Sequence, residues 1–382
     1  MLVSQIATIV NEVNAEVTGT EAIENIDLNE VVDTGSEILD TSDKIFDNYV
    51  RSLIDHIGKV VFVNRPYTGS TPSVMMDSWE YGAILEKVQY EGVPEAEEND
   101  TWDLQDGHSY DPNIFYKPTV SAKFFSERRT FDVPMSFANR QIKSAFSNAP
   151  QVQAFFSMIE TAISNGMTVK MDGLVNLTIA NAIATVYKNR ATRPAQFYPL
   201  VTRYVAATGD SSVTTANALV KPEFIRWASV TMRRVASRMA KFSTVFNIGE
   251  KYRHTSNDRL KLILHSDFVS LAEAYLYSDT YHQEYVKLPH ADEVAFWQGS
   301  GSAFGWADTS KLIVTPRGDE DPITITDIVG IFFDRDALGV SNLDRRVTSN
   351  YNPKAEFTNN WYKFDAGYFN DFNENVVVFT LD

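Results

Sequence analysis

The chain of 382 residues contains no cysteine, so disulfide bonds and thiolate metal sites are excluded. No apolar run approaches the roughly 18 residues that a membrane-spanning helix requires, and we expect no membrane contact. The first residues lack the basic leader and the small-residue cleavage site of a secretory signal. These absences predict a protein that is made in a cytoplasm and folds without covalent cross-links through sulfur.

Signatures of common enzyme classes are also missing, including the phosphate-binding loop, HExxH, GxSxG and the EF-hand calcium loop. His282 and His290 are eight residues apart, but Pro289 interrupts any helix between them, so we predict no metal site and no cofactor. Asp334 and Asp336 flank Arg335. A charged turn is the favoured interpretation of this pair, and acid–base chemistry or cation binding is the alternative.

Charge is distributed unevenly along the chain, which has a formal net charge of −16. The first fifty residues contain eleven acidic residues against the single Lys44, and a second acidic cluster lies between Glu95 and Asp106. A chain of this charge binds nucleic acid poorly because phosphates repel it. The acidic segments either confer solubility or meet basic surfaces on neighbouring subunits.

Basic residues concentrate in two places. Lys123, Arg128 and Arg129 form one group, and a predicted helix carries the other, which comprises Arg226, Arg233, Arg234, Arg238 and Lys241. Arg226, Arg233 and Arg234 are predicted to fall near one face of that helix. A solvated face, or an ion-pairing surface for another subunit, is favoured there over nucleic-acid binding.

Hydrophobic periodicity predicts a mixture of helices and strands without a βαβ repeat, which indicates an α+β fold. The predicted helices span residues 1–17, 36–57, 149–165, 172–188, 221–242 and 267–277. Gly166 is expected to end the third helix and Ser266 to cap the last one. The predicted strands span residues 59–64, 260–264, 312–314, 323–325, 329–333 and 375–381.

Residues 74–137 are predicted to form a long two-stranded excursion with an acidic tip. The outgoing strand lies within Trp79–Tyr90 and the returning strand within Phe115–Val133. A hairpin that exposes Trp79, Tyr81, Phe124 and Phe125 to water is marginal on its own. We therefore expect another chain to cover it.

The C-terminal residues Tyr351–Asp382 are rich in aromatic residues and asparagine and end on the apolar run Val376–Phe379. This segment resembles the C-terminus of major capsid proteins from small short-tailed bacteriophages. Just before it, Ile328–Val340 (IVGIFFDRDALGV) resembles a segment near the end of many tailed-phage capsid proteins. The predicted strand and helix in Leu260–Leu276 resemble a unit of the same family.

The resemblance implies the tailed-phage major capsid fold, divided into five segments. These are an N-terminal arm with the first strand (1–73), an extended hairpin or E-loop (74–134), a peripheral P domain with a long spine helix (135–200), an axial A domain (201–327), and return strands with the C-terminal tail (328–382). The spine helix would cover about residues 149–166 and could continue to Lys188.

The implied function is that of a structural, non-enzymatic virion protein. It would assemble with itself into pentamers and hexamers of an icosahedral shell around double-stranded DNA, without sequence-specific contact to that DNA. Scaffolding and portal proteins are further expected partners. The alternatives are a portal or tail component, and a soluble hydrolase that uses Asp334, Asp336 and a histidine. The residues predicted to lie at subunit interfaces are Ile38, Phe46, Leu53, Trp79, Tyr81, Phe124, Phe125, Arg128 and Arg129.

Overall fold

The computed structural model describes residues 3–18, 28–39, 48–49, 52–53, 56, 71–76, 85–90, 102–110, 112–113, 115, 117, 119–277, 291–298, 305–316 and 318–382. The chain forms two compact units. Unit 1 comprises Met1–Pro72, Arg128–Leu174 and Ser341–Gly367, and unit 2 comprises Ser73–Glu127, Val175–Val340 and Tyr368–Asp382. The predicted strand at residues 59–64 lies outside the described residues.

Helices and strands alternate irregularly along the chain, in agreement with the predicted α+β class. The described helices are α1 (Val3–Thr18), α2 (Leu28–Leu39), α3 (Asn139–Ala145), α4 (Ala149–Lys188), α5 (Leu200–Thr208), α6 (Pro222–Met239), α7 (Ser266–Tyr277) and α8 (Trp306–Thr309). Two short 3-10 helices cover Pro72–Val74 and Ala218–Val220.

The described strands range in length from the 2 residues of β1 to the 15 residues of β11. They are β1 (Met75–Met76), β2 (Leu85–Tyr90), β3 (Val120–Phe125), β4 (Arg128–Ala138), β5 (Phe197–Pro199), β6 (Leu260–His265), β7 (Asp292–Val294), β8 (Leu312–Val314), β9 (Ile323–Ile325), β10 (Ile328–Asp334), β11 (Leu338–Asn352), β12 (Phe357–Asn370) and β13 (Val376–Thr380).

Unit 1 buries one apolar core beneath a sheet in which β12 lies between β11 and β4. The antiparallel register of β12 and β4 runs from Phe357 opposite Ala138 to Gly367 opposite Arg128. The apolar stripe of α1, which includes Ile6, Ile9 and Val13, is fully buried in this core. The predicted N-terminal helix is therefore confirmed, and it is part of the core of unit 1.

The spine helix α4 is a single helix of 40 residues, which corresponds to a length of about 60 Å. The prediction that Gly166 ends it is wrong, and the two predicted helical runs are one helix. A glycine inside a helix costs only about 1 kcal/mol relative to alanine. That cost is small beside the burial of Phe155, Phe156, Ile159 and other side chains of this helix.

Two glycines of α4 differ in their surroundings and give a matched test. A Cβ added at Gly173 meets nothing within 4 Å, whereas one added at Gly166 would lie 2.9 Å from Cγ2 of the stiff Val133 side chain. We expect Gly173→Ala to raise the free energy of unfolding by about 0.5–1 kcal/mol. Gly166→Ala should gain less or lose stability, as measured by urea unfolding. An equal gain at both positions would contradict this account of Gly166.

Unit 2 is built around a five-stranded mixed sheet with the order β5-β13-β10-β6-β7. The central strand β10 pairs antiparallel with β13 on one side and with β6 on the other, and all seven of its residues are buried. Burial on both faces explains its nearly continuous apolar sequence. The predicted strands at 260–264, 312–314, 323–325, 329–333 and 375–381 are confirmed, apart from differences of one or two residues at their ends.

Helices α6 and α7 contribute to the core of unit 2. Helix α6 starts at Pro222, as the position of this proline predicts, and buries an apolar face that includes Phe224, Ala228 and Met232. Helix α7 begins at Ser266 itself, so the predicted cap at Ser266 is wrong. The N–H of Asp267 instead donates to Nδ1 of the buried His265, at 3.2 Å.

Candidate functional site: a hairpin with one anchored face and one open face

Strands β2 and β3 form an antiparallel hairpin in unit 2, with Leu85 opposite Phe125 and Tyr90 opposite Val120. The predicted pairing of the two halves is confirmed for residues 85–90 and 120–125, whereas the returning half beyond Glu127 belongs to β4, which pairs with β12 instead. Because side chains alternate along a strand, the pleat gives the hairpin two different faces. We call them the inner face (Leu85, Lys87, Gln89, Ser121, Lys123 and Phe125) and the outer face (Glu86, Val88, Val120, Ala122 and Phe124).

The inner face is anchored by a buried carboxylate, that of Asp371. It accepts hydrogen bonds from Nζ of Lys123 at 2.9 Å, Nζ of Lys87 at 3.4 Å and Nε2 of Gln89 at 3.4 Å. Lys87 also donates to the carbonyl oxygen of Asp336. We call Lys87, Gln89, Lys123 and Asp371 the Asp371 cluster.

Aromatic rings and a second ion pair support the Asp371 cluster. Phe125 packs against Phe369, with 5.0 Å between ring centroids, and Nζ of Lys87 lies 4.7 Å from the centroid of Phe369. Arg253 donates to Oε1 of Gln89 at 2.6 Å and to Oε1 of Glu374 at 3.2 Å. The inner face is thus fixed by hydrogen bonds, charge and apolar packing together.

The pKa values of two carboxyl groups at this anchor are shifted in opposite directions. Burial alone would raise the pKa of Asp371, but the hydrogen bond from Lys123 and the charges of Lys87 and Lys123 lower it below its ordinary value. Burial raises the pKa of the Glu374 carboxyl, and the charge of Arg253 offsets this only in part. Asp371 is therefore ionised at neutral pH and pairs with both lysines.

The Asp371 anchor predicts a stability difference that depends on pH. Because folding lowers the pKa of Asp371, its contribution is complete above its unfolded pKa of about 3.9 and is lost as pH falls through the lower folded value. We expect Asp371→Asn to cost about 2 kcal/mol at pH 7. The gap between wild type and variant should shrink below about pH 4.

This prediction is measured by urea unfolding at several pH values. Both proteins retain Glu374, and burial is the largest cause of its raised pKa, so most of its opposite contribution drops out of the difference between the two proteins. Asp344→Asn is the control, because that side chain pairs with Arg346 at an exposed site. A gap for Asp371→Asn that stays constant from pH 7 to pH 3 would rule out the ion-pair anchor.

Apart from Glu86, the outer face is apolar and open to solvent. Val88 is 66% exposed, Phe124 62% and Val120 55%. The tip, residues 91–119, continues this pattern in its described part, where Trp102 is 99% exposed and Leu104, Tyr110 and Phe115 are also exposed. Large apolar side chains concentrated on one anchored element are typical of an interaction surface.

The residues predicted to form the interface fall into different environments. Phe124 is exposed on the outer face, and Arg128 and Arg129 are exposed at the start of β4. The expected exposure of Phe125 is wrong, because alternation places it on the inner face, where it is 8% exposed. Leu53 is buried in the core of unit 1. Ile38 lies in α2, whereas Phe46, Trp79 and Tyr81 lie outside the described residues.

Asp334 and Asp336 form a structural ion pair with one arginine. Nη2 of Arg259 donates to Oδ1 of Asp334 at 3.0 Å and also contacts Asp336. The hydrogen bond to Asp334 raises the pKa of the Arg259 guanidinium most, and the hydrogen bond to Asp336 adds to this increase. Asp334 is buried and also accepts from the Thr255 hydroxyl at 2.9 Å. Its carboxylate is therefore engaged in the fold, as the charged-turn interpretation expects.

Metal sites and membrane-spanning helices are two further features to consider in the described part of the chain. None of its groups of histidine and carboxylate side chains has the arrangement that could hold a metal ion. None of its helices combines the length and hydropathy that crossing a bilayer requires. His282 and His290 lie outside the described residues.

Sequence reasoning did not identify the Asp371 cluster or the surface formed by α5 and α6. Lys87 and Asp371 are separated by 284 residues, so no local spacing reveals their contact. A cavity bordered by α5 and α6 is lined on α6 by Trp227, Thr231, Arg234, Val235 and Arg238. Of the predicted group Arg226, Arg233 and Arg234, only Arg234 lines it. Counting positions around the helix from the buried residues would have found this face.

Comparison with known proteins connects this architecture to a family. A family model described as Phi29-like phage major capsid protein matches residues 6–380. The major capsid protein of Bacillus phage GA-1 is 27% identical over 148 residues, which is 37% of this chain and 29% of that protein. The matched region thus spans less than a third of that relative's length.

A solved structure shares the fold. In the capsid structure of Staphylococcus phage Andhra, a chain superposes with a TM-score of 0.52 at 10% sequence identity. The match covers 83% of the present chain and 86% of that one. Because identity is so low, this likeness concerns the fold alone, and it agrees with the predicted tailed-phage major capsid fold.

Proposed function

Since the chain belongs to the Phi29-like phage major capsid protein family, we propose that it is the repeating subunit of an icosahedral shell that encloses double-stranded DNA. Pentamers and hexamers of this subunit are the building blocks, and the protein acts without catalysis. It is made in the host cytoplasm and resides in the virion. Scaffolding and portal proteins are its further partners. DNA is enclosed without sequence-specific contact, in keeping with the net charge of −16.

The observation that carries the proposal is the contrast between the two faces of the hairpin. The inner face is fixed to unit 2 by the buried Asp371, whereas the outer face presents Val88, Val120 and Phe124 to solvent. An anchored hairpin holds its outer face in place before it meets a partner, which lowers the entropy cost of association. This favours a second copy of the chain as the molecule that covers the outer face.

In this proposal the five sequence segments keep their implied roles. The hairpin is the E-loop, α4 is the spine of the P domain, and the sheet around β10 belongs to the A domain and the return strands. Arg128 and Arg129 follow the hairpin in the sequence, are exposed at the start of β4 and are assigned to the same interface. Shell stability then comes from many contacts of modest strength repeated around closed symmetry.

Deleting the tip tests the hairpin's role. A chain without residues 92–112 retains β2, β3 and the Asp371 cluster, so we expect a folded subunit with nearly unchanged urea unfolding. Light scattering should show that it no longer forms shells, because the contacts made by the tip lie between subunits. Normal shells from the shortened chain would contradict this role. The unfolding measurement separates loss of assembly from loss of folding.

A further inference from the structure

Helices α5 and α6 border a cavity of about 340 Å³ on unit 2. Its lining includes three arginines and two aromatic side chains: Tyr198, Arg203, Trp227, Arg234 and Arg238. We call the surface formed by these five residues the arginine groove. Arg234 and Arg238 follow Trp227 by seven and eleven positions, so the helical repeat places all three on one face. The groove therefore combines positive charge with aromatic surface.

One of these arginines is held in place by its own unit. The Arg203 guanidinium lies 3.9 Å from the centroid of the Tyr198 ring and donates to the carbonyl oxygens of Pro194 at 2.9 Å and Phe197 at 3.2 Å. Trp227 packs edge-on against Tyr204, with 5.5 Å between ring centroids. These contacts give the groove a preformed wall, which lowers the cost of ordering it when a ligand binds.

The charge of the groove is not neutralised within the described part of the chain. No carboxylate there pairs with Arg234 or Arg238, and both side chains are exposed. Three guanidinium groups around one cavity favour an anionic ligand, since arginine forms forked hydrogen bonds with carboxylates and phosphates. The aromatic residues add a preference for a ligand that carries apolar or aromatic groups.

The hairpin tip has the complementary chemistry. Between Lys87 and Lys117 the sequence contains eight acidic residues and neither lysine nor arginine. Two of these acids, Asp103 and Asp106, are exposed beside Trp102, which is 99% exposed. This exposure also shows that Trp102, Asp103 and Asp106 do not occupy the groove of their own chain.

We propose that the arginine groove binds the hairpin tip of a second copy, with Asp103 and Asp106 meeting the guanidinium groups and Trp102 meeting the aromatic wall. The inference rests on the proposed function and names the surface that receives the tip. DNA phosphate is the competing anion. The tip is favoured because it supplies aromatic groups as well as charge, and because a chain of net charge −16 repels DNA.

Charge exchange between tip and groove tests the pairing. The groove variant carries Arg234→Glu and Arg238→Glu, and the tip variant carries Asp103→Arg and Asp106→Arg. Each variant should raise the concentration needed for assembly by about tenfold. The chain that carries all four substitutions should assemble close to wild type. The control, Lys170→Glu with Lys241→Glu, changes the charge by the same amount outside the groove and should have little effect. Reversed groove charges that leave assembly unchanged would overturn the proposal, as would failure of the fourfold variant to recover.

A peptide measurement separates failure of the docking proposal from failure of the shell proposal. A fluorescein-labelled peptide of residues 95–111 is titrated into the full-length wild-type chain under conditions without assembly, and binding is followed by anisotropy. Binding that is lost in the groove variant supports docking even if no shell forms. Absence of binding overturns docking and leaves the shell proposal standing. Binding of a labelled DNA duplex to the groove, without peptide binding, would assign the groove to nucleic acid instead.

Discussion

Replacing Val88 and Phe124 with threonine is expected to abolish shell assembly at concentrations where the wild-type chain assembles. Threonine keeps the β-propensity of both strands but removes most of the apolar surface of the outer face. If each side chain contributes about 1.5 kcal/mol by burial against a neighbour, the loss of about 3 kcal/mol weakens each contact roughly 100-fold. Light scattering across a concentration series measures this change.

The matched control keeps the outer face apolar. The variant with Val88→Ile and Phe124→Leu keeps apolar side chains that a neighbouring subunit can bury. The concentration that it needs for assembly should lie within a few-fold of the wild-type value. Both variants should unfold in urea like the wild type, because Val88 and Phe124 do not contribute to the core of unit 2. Normal assembly of the threonine variant would show that the outer face is not a subunit contact.

Truncating Phe379 to alanine is expected to destabilise unit 2 by about 3–5 kcal/mol, the usual cost of removing a fully buried phenylalanine side chain. Phe379 lies in β13, and its ring packs 4.6 Å from that of Phe332 and 5.4 Å from that of Tyr198, measured between centroids. A loss of this size is a large part of the stability of a typical domain. We expect little soluble subunit, and therefore few shells.

Phe242→Ala is the control for this truncation, because the Phe242 side chain is 57% exposed. Its free energy of unfolding should change by less than about 0.5 kcal/mol. Urea unfolding of the two variants under the same conditions gives the comparison. Equal losses at positions 242 and 379 would contradict the placement of β13 within the sheet core.

The parts of the fold that depend on local pattern could be predicted from the sequence. The run Ile328–Asp334 is apolar because β10 is buried on both faces, and the start of α6 follows from Pro222. The continuity of α4 through Gly166 could not be predicted from the local rule that ends a helix at glycine, because the packing of unit 1 carries the helix through this residue. Such tertiary contacts routinely override local preference.

The functional surface was only partly predictable for a similar reason. Alternation in β3 shows that Phe124 and Phe125 point to opposite faces, but it does not show which face is buried. That choice is made by Asp371, which lies 248 residues beyond Lys123 in the chain. The hairpin was predicted as an element, whereas its orientation depends on contacts between distant parts of the sequence.

Negative-stain electron microscopy of the purified wild-type chain, imaged over a range of protein and salt concentrations, tests the proposed shell function most directly. The account predicts closed shells, with sheets or curved fragments under weaker assembly conditions. A chain that stays a single subunit at every concentration would contradict it. Rings of one fixed size without any closed shell would also contradict it and would favour a portal or tail component.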